Sequence, residues 1–69
     1  MPVSAELYKA IMRELDEAEE FLRKGGERKI YASFGGALFI EVSRDEALEI
    51  IGRERKRVEE LLARLKEAQ

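Results

Sequence analysis

Between two charged, amphipathic stretches lies the segment Lys29-Ile30-Tyr31-Ala32-Ser33-Phe34-Gly35-Gly36-Ala37-Leu38-Phe39-Ile40-Glu41-Val42, which restricts the fold more than any other part of the chain. Two runs rich in β-branched and aromatic residues are separated by Gly-Gly, the pattern of a β-hairpin. An isolated two-stranded ribbon buries too little surface to be stable in water. The hairpin is therefore expected to complete its sheet with another chain, which makes the protein an assembly subunit. A two-residue Gly35-Gly36 turn would pair Phe34 with Ala37, Ala32 with Phe39 and Ile30 with Glu41 on one face. The other face would carry Lys29, Tyr31, Ser33, Leu38, Ile40 and Val42. On that register both faces are substantially apolar, and two helix ends can cover only one of them. The second face and the unpaired edges invite association, because exposed edges template further pairing. Closing several hairpins into a barrel removes the edges.

The flanking segments read as helices that fold back antiparallel across the hairpin. Ser4 is placed to cap a first helix over about residues 5–24, with Glu6 in the turn where the helix dipole favours an anion. Tyr8, Ile11, Leu15, Ala18 and Leu22 step by three and four residues along one stripe, which Leu7, Met12 and Phe21 widen. Gly25-Gly26 then ends the helix. Ser43-Arg44-Asp45-Glu46 is a capping box that opens a second helix over about 44–68. There Leu48, Ile51, Val58, Leu62 and Leu65 hold the same spacing if Arg55 occupies the position between Ile51 and Val58. Antiparallel pairing sets Leu15 opposite Arg55, whose methylenes would cover the leucine while the guanidinium reaches Glu14, Asp16 or Glu54. Gly52 costs about 1 kcal/mol against alanine in a helix interior, and so suggests close packing or a slight bend. The fold class is thus α+β, mostly α: an antiparallel two-helix coiled-coil hairpin with a β-hairpin inserted between the helices, in a single domain spanning residues 1–69 with the hairpin at about 29–42.

At 69 residues a single core only just outweighs chain entropy, and oligomerisation is the expected supplement. Without cysteine there are no disulfides or thiolate sites, and without histidine the commonest metal ligand is gone. No cofactor and no metal are expected. The formal charge of −2 comes from 13 basic and 15 acidic side chains interspersed along the helices, which offers no field for nucleic acid or an anionic membrane. No apolar run is long enough to span a bilayer, and Met1-Pro2-Val3 leads into a cap with no secretory segment, so a cytoplasmic protein is expected.

No catalytic constellation is legible, and the chain is not expected to be an enzyme. Ser-His and Cys-His pairs are impossible, and the three serines are better explained as two caps and a strand position. Gly35-Gly36 lacks the helix and the Lys-Ser/Thr continuation of a phosphate loop. The acidic run Asp16-Glu17-Ala18-Glu19-Glu20 points its oxygens in different directions along a helix, as a solvated face does. Arg53-Glu54-Arg55-Lys56-Arg57 has no stacking aromatics beside it and interleaves with glutamates, which suits ion pairing on a helix surface.

The order helix, hairpin, helix resembles the prefoldin β-type subunits over roughly Arg28 to Lys66. Lys29 to Ile40 is similar to that family's Tyr-x-Ser-hydrophobic-Gly followed by a hydrophobic strand. Ser43-Arg44-Asp45-Glu46-Ala47-Leu48-Glu49 looks like its second-helix start, and Leu62-Ala63-Arg64-Leu65-Lys66 suits its later heptads. The resemblance implies an ATP-independent cytosolic chaperone subunit, homo- or hetero-oligomeric, with an α-type prefoldin subunit as a possible partner and unfolded proteins as clients. It implies that Ile30, Tyr31, Ala32, Phe34, Ala37, Leu38, Phe39, Ile40 and Val42 serve oligomerisation. Client contact would fall at the arm ends, near Val3, Leu7, Tyr8, Leu62 and Leu65. One departure stands out: arms of about 20 residues reach only ~30 Å, against considerably longer arms in the family. The alternative is a structural or adaptor subunit of a larger complex, with the same architecture and no client-binding activity.

Overall fold

The structure is a computed structural model that describes residues 4–26 and 28–67. Helix α1 (Ala5–Lys24) leads through a glycine turn into strands β1 (Ile30–Phe34) and β2 (Leu38–Val42), and helix α2 (Arg44–Glu67) returns along α1. The architecture is α+β and mostly α, two helices flanking one antiparallel two-stranded hairpin.

Local chemistry fixes both ends of α1 and the start of α2. Ser4 is extended, and its hydroxyl accepts from the Leu7 amide at 3.4 Å. Gly25 stops α1 at φ 84°, a backbone that L side chains rarely adopt, while its amide donates to the Leu22 carbonyl at 3.3 Å. The capping box at α2 is complete in both directions. The Glu46 amide donates to Ser43 Oγ at 3.1 Å, and the Ser43 amide donates to Glu46 Oε1 at 2.9 Å. These bonds hold the Glu46 carboxyl below its ordinary range, the Ser43 amide being the larger cause and the Ser43 hydroxyl the next.

Arg44 ties the two helix ends together. Its Nη2 donates to the Gly26 carbonyl at 2.6 Å, and a Cβ at Gly25 would lie 3.2 Å from its Nη1. The base of the hairpin is thereby closed by one side chain that spans the gap between α1 and α2.

The helix pair carries the buried core. Leu22, Ala47 and Val58 are the buried hydrophobic residues among those described, and Ile11, Leu15, Ile51, Leu62 and Leu65 are half-buried along the same seam. Leu7 and Phe21, expected to widen the buried stripe, are instead exposed at 51% and 56%. Only two helices meet here, so the buried arc of each is narrow and residues at its margin remain in water. Phe21 finds other company, with the Arg28 guanidinium 5.6 Å from its ring centroid. Gly52 marks no close packing within the chain, since a Cβ there would meet nothing within 4 Å.

Arg55 sits at the expected break in the seam. Its Nη2 reaches Asp16 Oδ1 at 2.7 Å and Glu19 Oε2 at 2.6 Å across the helix pair, and Glu19 also accepts from Arg23 Nη2 at 2.7 Å. Asp16 was among the anticipated partners; Glu19 was not, and Glu54 pairs with Arg57 instead. Arg23 first and Arg55 second hold the Glu19 carboxyl below its ordinary range, and Glu19 in turn raises the Arg55 pKa. Arg55 Nε is buried without a hydrogen-bond partner, so the guanidinium is satisfied at one end only.

Candidate assembly surface on the hairpin

The hairpin register differs by one residue from that expected for a two-residue turn. Ile30 pairs with Val42, Tyr31 with Glu41, Ala32 with Ile40, Ser33 with Phe39 and Phe34 with Leu38. The loop therefore has three residues, Gly35, Gly36 and Ala37, and its two glycines take φ 65° and 74°. Ala37 belongs to the turn and has no strand partner.

A one-residue slip moves every side chain of a strand to the opposite face. The expectation of two substantially apolar faces is therefore corrected. Directly opposed residues share a face, so Ile30, Ala32, Phe34, Leu38, Ile40 and Val42 gather on one side, and Tyr31, Ser33, Phe39 and Glu41 on the other. The physical reason is economy of apolar surface. A two-residue turn would place Glu41 among the apolar residues, whereas the three-residue turn puts it opposite Tyr31 on the polar side and leaves six hydrophobic side chains in one uninterrupted patch.

That patch is covered at its base and bare at its tip. Ile30, Ala32 and Val42 are half-buried against the helix ends. Phe34, Leu38 and Ile40 are 50%, 57% and 47% exposed. Below the bare part an open groove of about 360 Å³ runs between hairpin and helices, lined by Ala18, Phe21 and Leu22 of α1, the strand residues Ile30, Ala32 and Val42, and Ala47, Ile50 and Ile51 of α2, with Lys29 and Tyr31 at its side. The residues from Ile30 to Ile40 carry no charge in a chain that is 41% charged.

The candidate assembly residues thus divide three ways: six on the apolar face, Tyr31 and Phe39 on the opposite face, and Ala37 in the turn. The groove draws on residues that the sequence did not single out for assembly. Phe21 and Ala18 read as seam residues, and Ile50 lies off the α2 stripe altogether. An apolar residue off the stripe, one turn beyond a capping box, is the one signal that could have drawn attention to it. Of the candidate client residues, Leu7 is exposed and Tyr8, Leu62 and Leu65 are half-buried, while Val3 lies outside the described residues. Among the described residues no group of carboxylates is placed to hold a metal ion, and no helix is long and apolar enough to cross a membrane.

Set beside known proteins, the chain matches no protein family, no curated protein and no solved structure.

Proposed function

We propose that this chain is a prefoldin-like subunit that oligomerises through its β-hairpin and holds non-native proteins without ATP or any other cofactor, in the cytoplasm. It acts by binding and catalyses no reaction. The observation that carries the reading is where the apolar surface lies. Of the seven large hydrophobic residues that are exposed among the described residues, five belong to the hairpin: Tyr31, Phe34, Leu38, Phe39 and Ile40. Phe34, Leu38 and Ile40 share one face of it, and an exposed apolar patch on a small protein marks an interaction site. The resemblance of residues 28–66 to the prefoldin β-type subunits supplies the partner class, either further copies of this chain or an α-type subunit.

The helix ends remote from the hairpin offer a second, weaker surface. Exposed Leu7, with Tyr8, Leu62 and Leu65 partly open beside it, gives non-native chains a short apolar contact. The length of the arms favours a second reading. Twenty residues of α1 extend ~30 Å at 1.5 Å per residue, which leaves little space for a client between arms. On that reading the protein is a structural or adaptor subunit that keeps the assembly platform and holds no client.

Suppression of aggregation separates the two. Added in stoichiometric amount to an unrelated, chemically denatured protein diluted into buffer without nucleotide, the oligomer is expected to lower light scattering several-fold. Unchanged scattering from an intact oligomer would retire the chaperone reading in favour of the adaptor.

A further inference from the structure

We infer that the groove at the helix–hairpin junction is the seat for the hairpin tip of a second copy of this chain, so that two copies pair about a two-fold axis with each tip in the other's groove. The inference rests on the reading of the hairpin as the assembly element and specifies its partner and geometry.

Knob and hole are both present on one chain. The tip offers Phe34 and Leu38, opposed across the strands and each at least half exposed. The groove offers about 360 Å³ with a lining that is mostly apolar, Lys29 being the one charged residue on it. A cavity of ~150 Å³ suffices for one benzene ring, so the phenyl of Phe34 and the isobutyl of Leu38 fit it together. A chain cannot fill its own groove. The tip stands four residues beyond the strand base, ~14 Å at 3.4 Å per residue, and the paired strands hold it there. A second copy turned through 180° satisfies both tips and both grooves at once, as a two-fold interface requires.

Charge and area agree with that occupant. No charged group of the tip has to leave water, because the segment from Ile30 to Ile40 contains none. The chain exposes 5797 Å², whereas a compact folded monomer of 8.0 kDa exposes about 4,450 Å². The excess of about 1,300 Å² exceeds the ~800 Å² that each partner gives to a standard interface. Part of it follows from the elongated 45 × 26 × 15 Å shape, and the exposed hydrophobic residues that contribute to it cluster at the hairpin.

The absence of cysteine makes a direct test simple. In the double variant Leu38→Cys/Ile50→Cys, mild oxidation is expected to give a covalent dimer whose peptide map joins residue 38 of one copy to residue 50 of the other, since a disulfide forms only between Cα atoms within about 7 Å. A second variant approaches from the groove side. Ala18 is exposed, so Ala18→Trp fills the groove without entering the core; its mass is expected to fall to that of the monomer while helicity by circular dichroism is kept. Oligomers that cross-link only from tip to tip, or that persist in Ala18→Trp, would overturn the groove as the seat and leave assembly through the hairpin standing. A wild-type chain that is monomeric when alone, or that assembles only with a different subunit, would overturn the self-pairing. A monomer in the presence of every partner would remove the hairpin reading as well.

Discussion

The helix seam and the hairpin draw on the same kinds of side chain and reach opposite states. Leu22 and Val58 are 8% and 2% exposed, while Leu38 and Ile40 are 57% and 47% exposed. The difference is one of geometry. A helix satisfies its backbone internally and needs to bury only one stripe, which a single neighbour of the same chain can cover. A two-stranded ribbon has two open edges and a broad face, and the ends of α1 and α2 reach only its base. The seam therefore finds its cover within one chain, and the hairpin leaves Phe34, Leu38 and Ile40 about half exposed.

The sharpest way to break that contrast is to charge the tip. Phe34→Asp is expected to abolish assembly and leave an 8.0 kDa species in size-exclusion chromatography with light scattering. Phe39→Asp, on the opposite face, should shift the assembly far less. Equal loss in both variants would mean that the two faces are not distinct. The seam should respond to a cavity in the opposite manner, through stability and not partner affinity. Val58→Ala, at the most buried position of the seam and away from the groove, is expected to cost about 2 kcal/mol, a large share of the stability of so small a domain, as circular dichroism melting would reveal.

Smaller changes sharpen the picture at the margins of the seam. Ser43→Ala removes an acceptor from the α2 cap and should cost about 1 kcal/mol, a fall in Tm of about 4–8 °C. Gly52→Ala should gain about the same amount, since the added Cβ meets nothing within 4 Å. Loss of assembly on that change would place a partner's backbone against α2 and extend the interface beyond the hairpin. Acid titration is expected to have the least effect. Glu19 and Glu46 both have carboxyl pKa values below the ordinary range in the folded state, so the unfolded chain binds protons first as the pH falls. Their contribution is complete above the ordinary carboxylate range and disappears as the pH drops through their lowered values. Urea melts repeated from pH 7 to 3 should show a gradual decline over that interval, and Glu46→Gln should flatten it.

The elements themselves were legible because their signals are local. Ser4, Gly25-Gly26 and the Ser43/Glu46 box act within three or four residues of where they stand, and each forms the bond that its spacing implies. Arg55 was identifiable as the break in the seam from its position between Ile51 and Val58, and its contact with Asp16 follows from antiparallel pairing. Its bond to Glu19 was not legible, because the long guanidinium stem reaches one helical turn beyond its opposite number. The hairpin register depended on a competition that the turn sequence does not decide. Gly-Gly accommodates two-residue and three-residue loops alike, and the choice falls to whichever register gathers Ile30, Ala32, Phe34, Leu38, Ile40 and Val42 on one face. The groove was out of reach for a related cause. Phe21 and Ile50 come together only through the angle between hairpin and helix pair, which no periodicity in either segment encodes.

On the proposed function the hairpin is an interface and not a free ribbon. Multi-angle light scattering of the purified chain, alone and mixed with an α-type prefoldin subunit, tests it most directly. A defined mass at a multiple of 8.0 kDa, or a stoichiometric complex with that partner, is the expected result. A well-folded 8.0 kDa monomer in both samples, at concentrations up to several hundred micromolar, would contradict it.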